Sequence, residues 1–364
     1  MPADPPPLRV MLLLHAPTGG GAQRRVLQLA GALAARGVAV ELALAERRGE
    51  LAEQVPPVRV TMLRGPRWPN RMARMAAVVP DLAMRLRRDR PDVLVGAANH
   101  VHLAALTAHA LAGRPCPLVL RVSNHLGGRR GRPLVDWVKR RTVALYRRAD
   151  ALVAVSEDIA RQLRQLAPGA DVRVLPNPVV DGRLVVPLDL GGTVVLGVGR
   201  LEKQKDFPTL IRAAARLRVR LVILGEGSQR RELQELARSL GVDLHLPGFV
   251  ADPLPWMAGA SAFALSSAWE GMPGALIEAM ACGTPVVSTD CPGGAAEILR
   301  HGQLGPLVPV GDDAALAEAL RHLLAHPPDR EALRRRAADF SVEAGAEAYL
   351  SLFTELCGRH PTTG

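Results

Sequence analysis

The 364 residues exceed one average domain and suffice for two, and a composition of 48% hydrophobic and 22% charged residues excludes global disorder. The formal net charge of +11 is uneven: residues 1–186 carry 29 basic and 14 acidic side chains, and the remainder 17 and 21. Nucleic acid, anionic lipid or a diphosphate-bearing substrate would all suit that basic half, but 3% aromatics is poor material for base stacking and sets nucleic acid aside.

Apolar runs of strand length alternate with helical patterns along the whole chain. The first half offers LRVMLLL (8–14), VAVELAL (38–44), PDVLVGA (91–97), PLVLRVS (117–123) and ADALVAVS (149–156). Between the first two, QRRVLQLAGALAARG places Val26, Leu29, Ala30 and Leu33 on one helical face and stops at Gly37. Two prolines and a glycine in VLPNPVVDG (174–182) then break the rhythm. A second series begins with TVVLGVG (193–199), RLVILG, DLHLPGFV, SAFALSS and TPVVST. Nearly continuous apolar strands separated by helices predict parallel sheets covered on both faces. The expected fold is α/β: two doubly wound, Rossmann-like domains, residues 1–178 and 179–342, with ligands in a cleft at the carboxyl ends of the strands. The periodicity leaves open which domain the last helix, 343–364, joins.

No apolar run approaches the about 20 residues of a membrane span, and the first run reads as a buried strand rather than a signal peptide. Cys116, Cys282, Cys291 and Cys357 form no Cys-x-x-Cys pair and have no histidine at ligand spacing. They read as core filler in a reducing cytoplasm, and no metal site is expected.

The loops after the strands carry the chemistry. Gly19, Gly20 and Gly21 lie between the first strand and a helix, where backbone amides can meet an anion; the spacing is not that of a dinucleotide fingerprint, which disfavours a nicotinamide dehydrogenase. In VGRLEKQKDFPTLI, Arg200 and Lys205 follow a strand and suit a diphosphate, the arginine as a fork and the lysine as a point charge. The plainer reading is solvated loop charges. GEGSQRRELQEL puts Glu226 at a strand end, as a ligand contact or a surface turn residue, and Ser228 where it would cap the next helix. PGFV brings backbone near Val250 to the same edge. In EGMPGALIEAM, Glu270 sits in a loop, Gly271, Met272, Pro273 and Gly274 open a helix, and Glu278 lies among apolar neighbours. Carboxylates accept paired hydrogen bonds from vicinal hydroxyls, so two of them suit a sugar nucleotide.

The set GGG, GRLEKQKDFPTLI, LGEG, PGFV, EGMPGALIEAMACGTPVVSTDCPGGAAEIL and GPLVPVGD resembles glycosyltransferase family 4, retaining enzymes of the GT-B architecture. The likeness covers most of the chain and is densest over residues 195–312. It implies that Arg200 and Lys205 hold the donor diphosphate, Glu270 the donor hexose and Glu278 the ribose. It further implies that residues 271–274 touch sugar and phosphate through their backbone, and that Gly20 and Gly21 approach the diphosphate from the facing domain. His125, in RVSNHLGG, becomes the acceptor-side catalytic histidine, with His100 and His102 as alternatives. The resemblance also sends the C-terminal helix, 343–364, back to the first domain.

There is no Asp-x-Asp, so cations and helix N-termini are expected to neutralise the leaving diphosphate without a metal or cofactor. The arginine-rich, apolar-interleaved stretches 67–92 and 129–150 suit an anionic membrane surface that presents a glycan or polyprenyl-diphosphate-linked acceptor. The expectation is a cytoplasmic enzyme peripheral to the inner face of the membrane. It would transfer a hexose or N-acetylhexosamine from UDP in envelope polysaccharide, including lipopolysaccharide, synthesis. A sugar-nucleotide 2-epimerase and a non-catalytic sugar-nucleotide-binding component of a polysaccharide assembly complex are the alternatives.

Overall fold

A computed structural model describes residues 6–358, apart from residues 19, 67, 69 and 127–132. The chain folds as two compact units, one running to Pro178 and resuming at Val342, the other spanning Val179–Ser341. Each has its own sheet.

In the first unit the strands are β1 (Arg9–Leu14), β2 (Ala39–Leu44), β3 (Arg59–Met62), β4 (Val93–Gly96), β5 (Leu118–Val122), β6 (Ala151–Ala154) and β7 (Val172–Val174), in the order β3-β2-β1-β4-β5-β6-β7. Every pair is parallel, for example Leu12 opposite Leu42 on one side and opposite Val95 on the other. The helices are α1 (Gly21–Ala35), α2 (Arg71–Ala77), α3 (Val79–Asp89), α4 (His102–Leu111), α5 (Pro133–Ala144) and α6 (Glu157–Leu166). β4, β5 and β6 are buried at every residue, as apolar strands covered on both faces must be.

Two strands of this unit had no clear signature in the sequence. β3 is an edge strand that exposes Arg59, Val60 and Met62, so it carries no continuous apolar run. β7 is three half-buried residues beside the proline-rich joint. The C-terminal helix, Val342–Leu356, packs in this unit: Ala346, Tyr349, Leu352 and Phe353 join Leu29, Leu33 and Val10 in one core. Its backbone comes so close to the joint that a Cβ on Gly345 would lie 2.9 Å from Pro178 Cβ.

In the second unit the strands are β8 (Val194–Val198), β9 (Arg220–Leu224), β10 (Leu244–Gly248), β11 (Ala262–Leu265), β12 (Val286–Thr289) and β13 (Leu307–Val308), in the order β10-β9-β8-β11-β12-β13, again all parallel. Its helices are α7 (Phe207–Leu217), α8 (Arg230–Leu240), α9 (Leu254–Gly259), α10 (Gly274–Ala281), α11 (Ala295–Ile298), α12 (Asp313–Ala325) and α13 (Arg330–Ala338). Leu210, Ile211, Leu233 and Leu316 from the helices close over Val195, Ile223 and Ala264 of the sheet. The loops that follow β8, β9, β10, β11 and β12 consequently leave from one edge, where the second series of motifs lies.

Candidate functional site

At the carboxyl edge of the second sheet, the loop after β8 is tied down by its own backbone. Gly199 N donates to Leu224 O at 2.9 Å, Leu201 N to Glu226 O at 2.9 Å and Lys205 N to Glu202 O at 2.9 Å. Leu201 is fully buried and anchors the turn, and Asp206, at φ 44°, redirects the chain into α7. A Cβ on Gly225 would lie 1.9 Å from Gly199 O, so no other residue fits where the β8 and β9 loops touch.

The loop after β11 locks onto this one. Ala268 N donates to Gln204 O at 2.8 Å, Gln204 Nε2 to Trp269 O at 2.9 Å, and Ser266 Oγ to Lys205 O at 2.8 Å. At their meeting point Lys205 Nζ lies 2.5 Å from Glu270 Oε1, and Ser267 Oγ donates to that same oxygen at 2.6 Å. The two side chains are 16% and 8% exposed, so each charge depends on the other for its solvation. Glu270 is held from behind by its amide, which donates to Pro292 O at 2.9 Å. Gly293, at φ 126°, lets the next loop press on it; a Cβ there would be 2.4 Å from Glu270 O. Thr289 Oγ1, at the end of β12, donates to Ser267 O at 2.6 Å and fixes the serine that feeds the carboxylate.

Around this pair the expected site residues divide. Arg200 is exposed and makes no ion pair among the described residues. Gly271, Met272 and Pro273 are buried, and α10 starts at Gly274 with Pro273 as its N-cap and no side-chain cap, which leaves first-turn amides without an intrahelical acceptor. Glu278 is half-buried on that helix, and Val250 is half-buried just beyond β10. Glu226 is paired: Arg230 Nη1 donates to its Oε1 at 2.8 Å in a partly exposed pair one turn apart. Ser228 does not cap α8. Gln229 holds the N-cap position, while the Ser228 amide and hydroxyl both donate to Glu202 and hold its carboxyl below the ordinary range.

In the first unit Gly20 is the N-cap of α1, in extended backbone, and Gly21 is its exposed first residue; Gly19 lies outside the described residues. His125 Nε2 stands 3.9 Å from Asp158 Oδ2, and its amide donates to Asn124 Oδ1 at 2.9 Å. His102 is corrected. Its ring is fully buried, with Nε2 3.1 Å from Arg121 O and its plane edge-on to Tyr146, and burial pushes its pKa down to about 3. It is a core residue. His100 is partly buried, edge-on to His15, and burial brings its pKa to about 4. The thiols of Cys116, Cys282 and Cys291 are pushed up to about 12, 11 and 12 by burial, which suits inert filler. Of the two arginine-rich stretches, Arg67, Pro69 and residues 129–132 lie outside the described residues.

The sequence reading missed Ser266, Ser267, Thr289 and Gly293, which build the Lys205–Glu270 pair. A Ser-Ser dipeptide straight after a buried strand was the available signal, since two polar residues at a strand's carboxyl end must bond something there. Among the described residues no group of three or more His, Cys, Asp or Glu is placed to hold a metal ion, and no helix is long and apolar enough to cross a membrane.

Two family models match the chain, one described as Glycosyltransferase Family 4 over residues 19–183 and one as Glycosyl transferases group 1 over residues 192–326. The lipopolysaccharide core biosynthesis glycosyltransferase LpsE of Rhizobium meliloti is 30% identical over 354 residues, 93% of this chain and 97% of that one. An N-acetylgalactosamine-N,N'-diacetylbacillosaminyl-diphospho-undecaprenol 4-alpha-N-acetylgalactosaminyltransferase of Campylobacter jejuni is 33% identical over 53% of this chain and 56% of its own. In fold, Anabaena HepE, solved with UDP and glucose, superposes with a TM-score of 0.80 over 96% of this chain and 100% of that one, at 22% identity.

The buried His102 makes stability pH-dependent. Its folded-state pKa is depressed, so the unfolded chain takes up the proton first, and stability present above pH 6.5 is lost as pH falls from 6.5 toward about 3. The loss should approach about 1.4 kcal/mol per pH unit within that window. Urea midpoints measured through it should flatten in His102→Gln relative to wild type; parallel curves would contradict the assignment.

Proposed function

The chain belongs to glycosyltransferase family 4, and on that footing we propose that it transfers a hexose or N-acetylhexosamine, with retention, from a UDP-sugar. The acceptor is a glycan or polyprenyl-diphosphate-linked saccharide of the cell envelope. The observation that carries this reading is the Lys205–Glu270 pair. Lys205 Nζ uses one proton on Glu270 Oε1, and Ser267 occupies the same oxygen, which leaves Oε2 and the remaining ammonium protons for a ligand. A cation and a carboxylate so joined match the junction of a donor, where a diphosphate meets a sugar hydroxyl. Arg200, exposed and unpaired among the described residues, adds a second cation, and the uncapped start of α10 adds backbone amides through Gly271–Gly274. Glu278 accepts from the ribose hydroxyls.

In this reading Lys205, Arg200 and the α10 amides stabilise the charge that grows on the leaving diphosphate, without a metal. Glu270 orients the hexose and keeps the ammonium in place. The acceptor hydroxyl attacks from the same face as the departing diphosphate, which takes the proton. His125, steadied by Asp158, serves the acceptor side. Envelope polysaccharide, including lipopolysaccharide, is supported as the product class by the names of the Rhizobium and Campylobacter relatives, and UDP by the ligand in HepE. Docking of the enzyme on the anionic inner face of the membrane is supported by Trp68, Met72 and Met84, which are exposed among Arg64, Arg71, Arg87 and Arg88.

Three measurements test this. Arg200→Ala should lower kcat/KM for a UDP-sugar by about 100-fold with an unchanged Tm, since that exposed side chain makes no ion pair among the described residues. Lys205→Ala should lose as much and also lower Tm, because it leaves Glu270 buried without its cation. Wild-type turnover in both variants would reject the diphosphate assignment. Activity should persist in excess chelator; its abolition there would reject the metal-free mechanism. In sedimentation with liposomes, recovery should rise with anionic lipid, and equal recovery with neutral vesicles would remove the docking surface.

A further inference from the structure

In the first sheet the chain steps from β1 to β2 on one side and to β4 on the other. Ligands of open α/β sheets gather at the carboxyl ends of strands beside such a reversal. His15 follows β1 directly, Glu46 lies two residues past β2, and His100 is in the turn after β4. Arg71 and Arg74 come from α2, which follows β3.

Two of these side chains, His15 and Arg74, are incompletely satisfied. Arg74 is 6% exposed and spends its terminal nitrogens on the carbonyls of Gly65 (2.7 Å), Pro66 (2.5 Å) and Ala45 (2.9 Å), so its guanidinium is fixed. Its Nε is buried with no hydrogen-bond partner, and so is His15 Nε2. Glu46 Oε1 stands 3.8 Å from His15 Nε2 and 4.0 Å from Arg74 Nε, too far to bond either, and its side chain is 46% exposed. Arg71 is exposed and has no partner among the described residues, yet it is near enough to disfavour a proton on both His15 and His100. Burial and these cations keep both imidazoles neutral, and each neutral ring still has one N–H to donate. Two buried, unmatched groups cost stability that an oxygen ligand between them would return.

We propose that His15, Arg71 and Arg74 form an oxyanion site that seats a phosphate or carboxylate group of the acceptor, with His100 backing His15 and Glu46 standing in its place until the ligand arrives. The acceptor as the source of that group rests on the function proposed above; the site itself does not. One oxygen accepts from His15 Nε2–H and Arg74 Nε–H, and Arg71 meets the remaining charge. Glu46 swings outward to solvent.

The test uses the full chain without donor. Imidazole nitrogen resonances of His15, assigned by comparison with His15→Gln, are followed during titration with inorganic phosphate, acetate or chloride at matched ionic strength. A saturable shift with phosphate or acetate, but not chloride, is expected. Arg71→Ala, an exposed position, should weaken it by about tenfold. Glu46→Gln should tighten it by removing the competing carboxylate. Stronger binding of phosphate identifies a phosphorylated acceptor, and stronger binding of acetate an acidic sugar. No shift, an equal shift with chloride, or undiminished binding in Arg71→Ala overturns the site. Because no transfer is measured, such a failure leaves the glycosyltransferase reading untouched.

Discussion

A parallel strand can reach its neighbour only through a crossover, so each sheet here sends all its post-strand loops out from one edge. Both units obey this constraint, and everything chemical in the chain follows from it. In the second unit the loops after β8, β9, β11 and β12 arrive side by side although they are up to about ninety residues apart in sequence, and their backbones bond to one another directly. Glycine at 225 and 293 is what permits that approach, since a Cβ at either position would sit inside a neighbouring carbonyl.

Within this frame the Lys205–Glu270 pair is an expensive feature. Two charges with little solvent exposure must repay their desolvation to each other, and the second hydrogen bond from Ser267 helps the carboxylate do so. Such a pair adds little stability over a well-packed apolar contact. Its value lies in position: one ammonium and one carboxylate held in fixed geometry at the sheet edge, each with hydrogen-bonding capacity left over. Arg200 differs in kind, being exposed and without an ion pair among the described residues.

The first unit uses its buried polar groups differently. Arg121, 2% exposed at the end of β5, donates to Asn177 Oδ1 at 2.6 Å and bonds Tyr349 on the returning helix. One guanidinium thereby joins the sheet, the joint before Pro178 and the C-terminal helix. His102 lies against the backbone of that same arginine, which explains why a histidine in so suggestive a loop belongs to the core.

Much of this was legible in the sequence. Apolar runs bounded by glycine and proline marked the buried strands, because a strand covered on both faces needs apolar residues throughout. They failed for β3, β7 and the two-residue β13, edge strands whose side chains lie partly in water. Arg200, Lys205 and Glu270 drew attention because they are charged residues in loops that follow buried strands, and Glu278 because it is a carboxylate among apolar helical neighbours. Their partners did not. Local sequence could not distinguish Ser228 as a helix cap from Ser228 as a donor to Glu202, or Glu226 as a ligand contact from one half of a pair with Arg230, since both choices obey the same local rules. The sequence by itself determined the fold class and the residue types at the sheet edges, through patterns that span a few residues. Only the tertiary structure decided which side chains meet, because hydrogen bonds and ion pairs fall off within a few ångströms and depend on loops the chain separates by scores of residues.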